Sequence, residues 1–409
     1  MKFKLTSLEK AWILYDIGNS AFILLVSTIL PIYFNYLADL EGLSEIQYLA
    51  YWGYAMSLST LIVALIGPVC GTLADIKNFK KKLFAGSMMI GAVCCALLGA
   101  ASTWLVFLVI FVVAKVGYSS SLVFYDSMLT DITTQERMDA VSSQGYAWGY
   151  LGSCLPFGIG LFLVLGGSSF GLSMTTSMIL TFLLIAIWWV GMSIPLLKMY
   201  QQRYYVEHQS HLFRQSLGRL WTTLKNVRQD RRIFYFLLAF FFYIDGVYTI
   251  IEMATAYGQA LGLESNSLLI ALLMTQIVAF PCSLLFGRLS KKYENKTLIT
   301  LCIMAYTGIA LFALVISTQL HFWILAFIVG MFQGGIQALS RSYFAKIIPA
   351  DKSGEYFGIM DICGKGASFF GTAVISIASQ LFNSVNIGVG MLAVIFIIGL
   401  ILFRKSASI

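Results

Sequence analysis

Residues Ala11–Tyr36 read AWILYDIGNSAFILLVSTILPIYFNY, an apolar run in which Asp16 is the one charged residue. A helix of about twenty apolar residues, rising 1.5 Å per residue, crosses the roughly 30 Å hydrocarbon core of a bilayer. The run is too long for a signal-peptide core, holds Asp16 and Asn19, and lacks a small-residue cleavage pattern, so it is expected to stay in the mature chain.

Eleven further runs of similar length follow. They are expected at Tyr48–Leu73, Leu83–Ser102, Trp104–Phe124, Val141–Leu165, Met174–Leu197, Ile233–Tyr257, Ser267–Phe286, Thr297–Ile316, Phe322–Ala338, Tyr356–Leu381 and Val385–Phe403. The composition agrees: 59% of the 409 residues are hydrophobic and 11% charged, whereas a water-facing surface takes roughly 25–35% charged residues. Backbone groups facing lipid must find partners within their own helix. The fold class expected is therefore an all-α membrane protein of about twelve helices.

The longest polar interruption, Lys198–Arg232, carries eight basic and two acidic residues and divides the runs six and six. It marks three regions: residues 1–197 as a first six-helix bundle, 198–232 as a cytoplasmic linker, and 233–409 as a second bundle. Within the linker Phe213, Leu217, Leu220, Leu224 and Val227 recur at helical spacing, with Arg214, Arg219, Lys225 and Arg228 on other faces. That pattern fits a helix on anionic headgroups, or one packed on the ends of the spans.

The formal charge of +8 first suggests an acidic partner. Yet all of the 27 Lys and Arg residues except Lys115 and Lys365 fall in loops or tails on one side, as the positive-inside rule expects if both termini are cytoplasmic. The basicity reports topology in a cell membrane, and nucleic-acid binding is not expected. Cysteines 70, 94, 95, 154, 282, 302 and 363 lie in or beside apolar runs without zinc-site spacing, so no metal or cofactor is expected. His208, His211 and His321 lie in a loop or at a span end.

The halves repeat weakly. Gly71-Thr72-Leu73-Ala74-Asp75, followed by Lys80, aligns with Gly287-Arg288-Leu289-Ser290-Lys291, followed by Lys296, at an offset of 216 (287 − 71 and 296 − 80). Arg137 and Lys352 give 215 (352 − 137). Two nearly equal offsets imply parallel six-span repeats.

The segment Gly71-Thr72-Leu73-Ala74-Asp75, with Lys80, Lys81 and Lys82 after it, resembles the signature of the major facilitator superfamily, although Ile76 and Asn78 stand where that signature has arginine and glycine. Tyr15-Asp16-Ile17-Gly18-Asn19-Ser20-Ala21-Phe22, Phe242-Tyr243-Ile244-Asp245-Gly246-Val247-Tyr248-Thr249-Ile250 and Gly145-Tyr146-Ala147-Trp148-Gly149-Tyr150-Leu151-Gly152 resemble markers of its vacuole-effluxer-like branch. The resemblance implies two six-helix bundles, a pathway lined by spans 1, 4, 7 and 10, and export of small solutes. It also implies a cytoplasmic gate at Gly71, Asp75, Lys80 and Arg137, in which the aspartate meets a helix amino terminus.

Charged residues inside the spans carry the most information, because each costs about 2.5–3.5 kcal/mol at a helix centre. They are Asp16, Lys115, Asp245, Glu252, Asp361 and Lys365, and they must be paired or face a water-filled cavity. Spans 1, 4, 7 and 10 supply Asp16 with Asn19, Lys115, Asp245 with Thr249 and Glu252, and Gln333 with Gln337. Lys115 either binds the anionic end of a solute or forms a fixed ion pair. Asp245 either gains and loses a coupling proton or serves as the partner of Lys115. Asp16 is a pathway residue or part of helix-start chemistry, and Asp361 with Lys365, spaced i,i+4, fits mutual pairing.

The function expected is secondary active transport of a small polar solute, an amino acid being the candidate, by a monomeric exporter in contact with membrane lipids. An exporter of amphipathic compounds or lipids is the alternative within transport; a non-transporting receptor or scaffold is the alternative outside it. An enzyme would need a nucleophile with a base, or metal ligands, and the runs offer neither. No glycine-rich, Gly-Lys-Ser/Thr nucleotide motif is present.

Overall fold

Hydrocarbon forces each apolar run to close its hydrogen bonds along its own axis, so the chain becomes a series of long helices. The computed structural model describes residues 4–207, 212–263 and 265–409. The first half contains α1 (Ser7–Ser27), α2 (Ile29–Leu40), α3 (Glu45–Ala74), α4 (Phe79–Leu97), α5 (Trp104–Ser127), α6 (Leu129–Ile132), α7 (Met138–Gly166) and α8 (Met174–Met199). After α9 (Leu212–Gln229), the second half contains α10 (Arg231–Ala260), α11 (Ser265–Leu289), α12 (Asn295–Ala313), α13 (Gln319–Ile347), α14 (Ser353–Phe382), α15 (Val385–Gly390) and α16 (Leu392–Ala407).

Local chemistry sets the boundaries. Thr6 and Glu9 form a reciprocal capping box at the start of α1, and Ser44 with Gln47 does the same for α3. Thr103, Ser173, Thr318 and Ser384 accept first-turn amides at α5, α8, α13 and α15. Thr28 interrupts the first span, its hydroxyl donating to the Leu24 carbonyl (2.5 Å), so that span is α1 and α2 in succession.

Among the described residues, eleven helical segments are long and apolar enough to span a membrane. The remaining expected span, Tyr356–Leu381, lies in α14, a single helix of 30 residues. The expected end of span 10 at Ala338 is corrected: α13 runs on to Ile347, because the helix keeps its buried contacts through Leu339, Ser340, Arg341, Ser342, Tyr343 and Phe344.

The same pairings occur in both halves. α4 packs on α5 as α12 packs on α13, α3 on α5 as α11 on α13, and α1 on α7 and α8 as α10 on α14 and α16. The halves meet along two equivalent seams, α3 against α14 and α7 against α11. Gly71 shows why the first seam needs a bare backbone: a side chain there would land on the Gly354 carbonyl.

The Lys4 carbonyl accepts from Arg137 (2.9 Å), the Ser406 hydroxyl donates to the Arg232 carbonyl (2.8 Å), and the start of the linker bonds Asp131, so both described ends of the chain lie beside the linker, on what is here termed the termini face. The linker docks there, Val206 donating its N–H to the Asp75 carbonyl (2.8 Å). α9 packs on α3 and α10, burying Thr223 and Val227 and leaving Trp221 and Leu224 exposed. The side chains of Phe213, Arg214, Leu217 and Arg219 lie outside the described residues, as do His208 and His211.

Candidate functional site

Two ionic clasps and one buried carboxyl organise the space between the halves. The first clasp is at Asp75, the residue that closes α3. Its Oδ1 accepts the N–H of Gly354 (2.7 Å) and its Oδ2 that of Glu355 (2.9 Å), the first amides of α14. A helix start presents unsatisfied amides and the positive end of the helix dipole, so a carboxylate meets matched chemistry there. Lys80 is fully buried beside it, donating to Ser353 Oγ (2.7 Å) and lying 3.7 Å from Asp75 and 3.5 Å from Asp131. Asp131 also accepts the Tyr200 hydroxyl (2.5 Å) and the backbone amides of Arg203 and Tyr204 (both 3.0 Å), which anchors the linker to the first half.

Burial pushes the Asp75 carboxyl up to about 7, against the opposing effects of Lys80 and the two amides. If the seam opens and Asp75 returns to water, its ordinary value is 3.8. The closed seam then holds a proton that the open one releases. Its contribution from this group is full below 3.8 and is lost as pH rises to about 7. Paired spin labels across the α3–α14 seam are expected to show more separation as pH rises through that window, with no further change above it, and Asp75→Asn should abolish the dependence.

The second clasp centres on Arg341, on α13. Its Nη2 donates to Asp16 Oδ2 (3.3 Å) and to the Ser142 carbonyl (3.1 Å), its Nη1 to Asp126 Oδ1 (2.9 Å), and its Nε to Ser142 Oγ (2.9 Å). The guanidinium also sits 4.5 Å from the Trp12 ring centroid and 4.4 Å from that of Tyr146. One arginine of the second half thus joins α1, α5 and α7 of the first. Further out, Lys346 pairs with Asp139 (2.5 Å), which also accepts the Asn295 amide (2.6 Å).

Asp16 therefore faces the other half, and the helix-start chemistry of α1 belongs to Thr6 and Glu9. Asn19 donates to the Tyr15 carbonyl (2.9 Å) and to Asp16 Oδ1 (3.5 Å), bracing the carboxylate from its own helix. Arg137 bonds Glu9 through Nε (2.8 Å) and Nη2 (2.7 Å), both residues within the first half.

Asp245, on α10, differs from these. It is fully buried, its Oδ1 accepts the Gly371 N–H (2.9 Å) and the Thr249 hydroxyl (3.4 Å), and its Oδ2 has no hydrogen-bond partner among the described residues. The described hydrogen bonds of Asp245 do not include Lys115, whose ammonium lies 3.4 Å from Met56 Sδ and acts electrostatically on Glu252 of the other half. Glu252 itself is exposed.

Gln337 is half-buried. Gln333 is buried and lines a small pocket with Ile250, Thr275 and Val329, inside the second half. The expected Asp361–Lys365 pair cannot be placed, because the Lys365 side chain lies outside the described residues. Among the described residues no group of acidic, histidine and cysteine side chains has a metal-binding arrangement.

The fold has close counterparts among solved structures. A major facilitator superfamily transporter, FucP, in the outward conformation superposes with a TM-score of 0.71 at 14% identity, over 98% of this chain and 97% of that one. A bacterial homologue of the iron transporter ferroportin in an outward-facing state gives 0.71 at 15% identity, over 98% and 99%. The fold shared with these two proteins is that of a multi-pass helical membrane protein.

The family model for vacuole effluxer Atg22 like proteins matches residues 7–406. The Bacillus subtilis (strain 168) protein described as an uncharacterized MFS-type transporter, YxiO, is 41% identical over 407 residues, 98% of this chain and 95% of its own. Autophagy-related protein 22-1 of Aspergillus niger is 24% identical over 293 residues, 64% of this chain, and the match spans 46% of the fungal protein. The chain belongs to the Atg22-like vacuole effluxer family.

Proposed function

We propose that the chain is a proton-coupled exporter of a small polar solute, with amino acids as the first class to test, and that it works by alternating access between two six-helix bundles. Asp245 carries the reading. A buried carboxylate with no ion pair and one oxygen unpartnered among the described residues is costly to leave charged, and a proton on Oδ2 relieves that cost. Unloading that proton then requires water to reach α10, which is what a change in bundle orientation supplies.

The clasps support the second part. Asp75 with α14, Arg341 with Asp16 and Asp126, and Lys346 with Asp139 join the halves towards the termini face. In this reading that face is cytoplasmic, the clasps hold it shut while the solute site communicates with the other side, and their release reverses the access. Lys115 and Glu252 form the charged pair that the solute meets, Lys115 attracting an anionic end and Glu252 an ammonium.

Purified protein in liposomes tests this directly. A pH gradient should drive accumulation of at least one labelled amino acid without chemical change, and a dissipated gradient should stop it. Lys115→Ala should weaken binding of a carboxylate-bearing solute by about tenfold or more, the loss of one charge-assisted hydrogen bond. Wild-type affinity in that variant would remove Lys115 from the solute site.

A further inference from the structure

The two seams between the halves are equivalent by the repeat but opposite in charge. In the α3–α14 seam the carboxylate of Asp75 meets the first amides of α14. The offset of 216 puts Lys291 at the corresponding place in the α7–α11 seam (291 − 75), where it lines one cleft with Ala140 of the first turn of α7. A cation stands where the first seam has its anion, and the two helices do not close on each other there. A cleft of about 470 Å³ opens there, lined by Ala140, Ser143 and Gln144 of α7 and by Gly287, Arg288 and Lys291.

Three observations give this cleft a ligand chemistry. Ser143 is fully buried, lines the cleft, and its Oγ has no hydrogen-bond partner among the described residues. Arg288 and Lys291 are both exposed, and no ion pair to Arg288 is present among the described residues. The nearest acid on α7, Asp139, is already taken by Lys346 and Asn295. An anion with several acceptor oxygens would complete the set.

The surroundings select the source of that anion. From the cleft, the outer faces of both helices continue as apolar surface: Trp148, Leu151, Leu155 and Ile159 on α7 are exposed, as are Leu285 and Ile277 on α11. A soluble anion would gain nothing from that surface, whereas acyl chains would cover it. We propose that the α7–α11 cleft binds the phosphate-bearing headgroup of an anionic membrane lipid, which bridges the halves where Ser143 of one meets Arg288 of the other.

Native mass spectrometry of the purified full chain with phosphatidylglycerol, phosphatidylcholine or inorganic phosphate tests the proposal. Phosphatidylglycerol should bind in preference to phosphatidylcholine, and Arg288→Gln and Lys291→Gln should each lower its affinity about fivefold. Lys292→Gln, one residue outside the cleft lining, should leave it unchanged, and the charge-preserving pair Arg288→Lys with Lys291→Arg should retain it. Unchanged affinity in the Arg288→Gln, Lys291→Gln double variant would overturn the site. An equal loss in Lys292→Gln would replace it with diffuse attraction, and inorganic phosphate competing at equal concentration would replace the lipid with a soluble anion.

Discussion

Liposomes carrying Asp245→Asn are expected to exchange labelled solute across the membrane at close to the wild-type rate, yet to lose all accumulation driven by a pH gradient. The asymmetry follows from the contacts of the side chain. Asn keeps an oxygen to accept the Gly371 N–H and the Thr249 hydroxyl, both of which reach Oδ1. The amide puts its NH₂ at the position of Oδ2, the atom without a partner among the described residues. Shape and local hydrogen bonding are therefore kept and only the proton-binding capacity is removed. Counterflow needs no net proton movement, so it survives; coupled accumulation needs one proton site to be filled and emptied in each cycle, so it does not. Retained pH-driven accumulation in this variant would move the coupling site elsewhere, with Glu252 the next carboxyl to examine. Loss of both activities would show instead that Asp245 is needed to hold α10 against α14.

The bilayer makes a fold of this kind legible, because a helix that must cross hydrocarbon writes its length into the sequence as an uninterrupted apolar run. The repeat was legible too, and the structure puts both of its glycines, Gly71 and Gly287, at contacts between the halves. What the runs conceal is charge at their ends. Arg341 follows Ala338 closely and reads as a loop residue, since its carboxylate partners Asp16 and Asp126 lie 325 and 215 residues away in sequence. Asp126 and Asp131, just past the expected end of span 4, are hidden for the same reason. In Lys80-Lys81-Lys82 no local signal tells which lysine is buried; the structure buries Lys80 and leaves Lys82 exposed. One local signal was available in sequence: Thr6 with Glu9 three residues later is a capping-box pattern, and it separates Asp16 from the start of the helix.

Replacing Arg341 by Ala is expected to open the termini face. The guanidinium pairs with two carboxylates of the opposite half, is hydrogen-bonded to Ser142 as well, and packs against Trp12 and Tyr146. Its removal leaves the buried Asp16 and the half-buried Asp126 facing each other's charge. Breaking a buried pair in this way costs about 3–5 kcal/mol, more than a hundredfold in the balance between closed and open arrangements if the open one restores water to both acids. Spin-label distances across the halves should lengthen at the termini face, and solute transport should fall because one orientation no longer becomes stable. Arg341→Lys separates charge from geometry: one ammonium cannot reach both acids with the planar fork of a guanidinium, so an intermediate distance distribution is expected. The triple change Arg341→Gln, Asp16→Asn, Asp126→Asn tests the electrostatic argument itself. Without either charge left unpaired, the closed arrangement should recover much of its population. A triple variant as open as Arg341→Ala would assign the clasp to the packing of the arginine on Trp12 and Tyr146 instead of to its ion pairs.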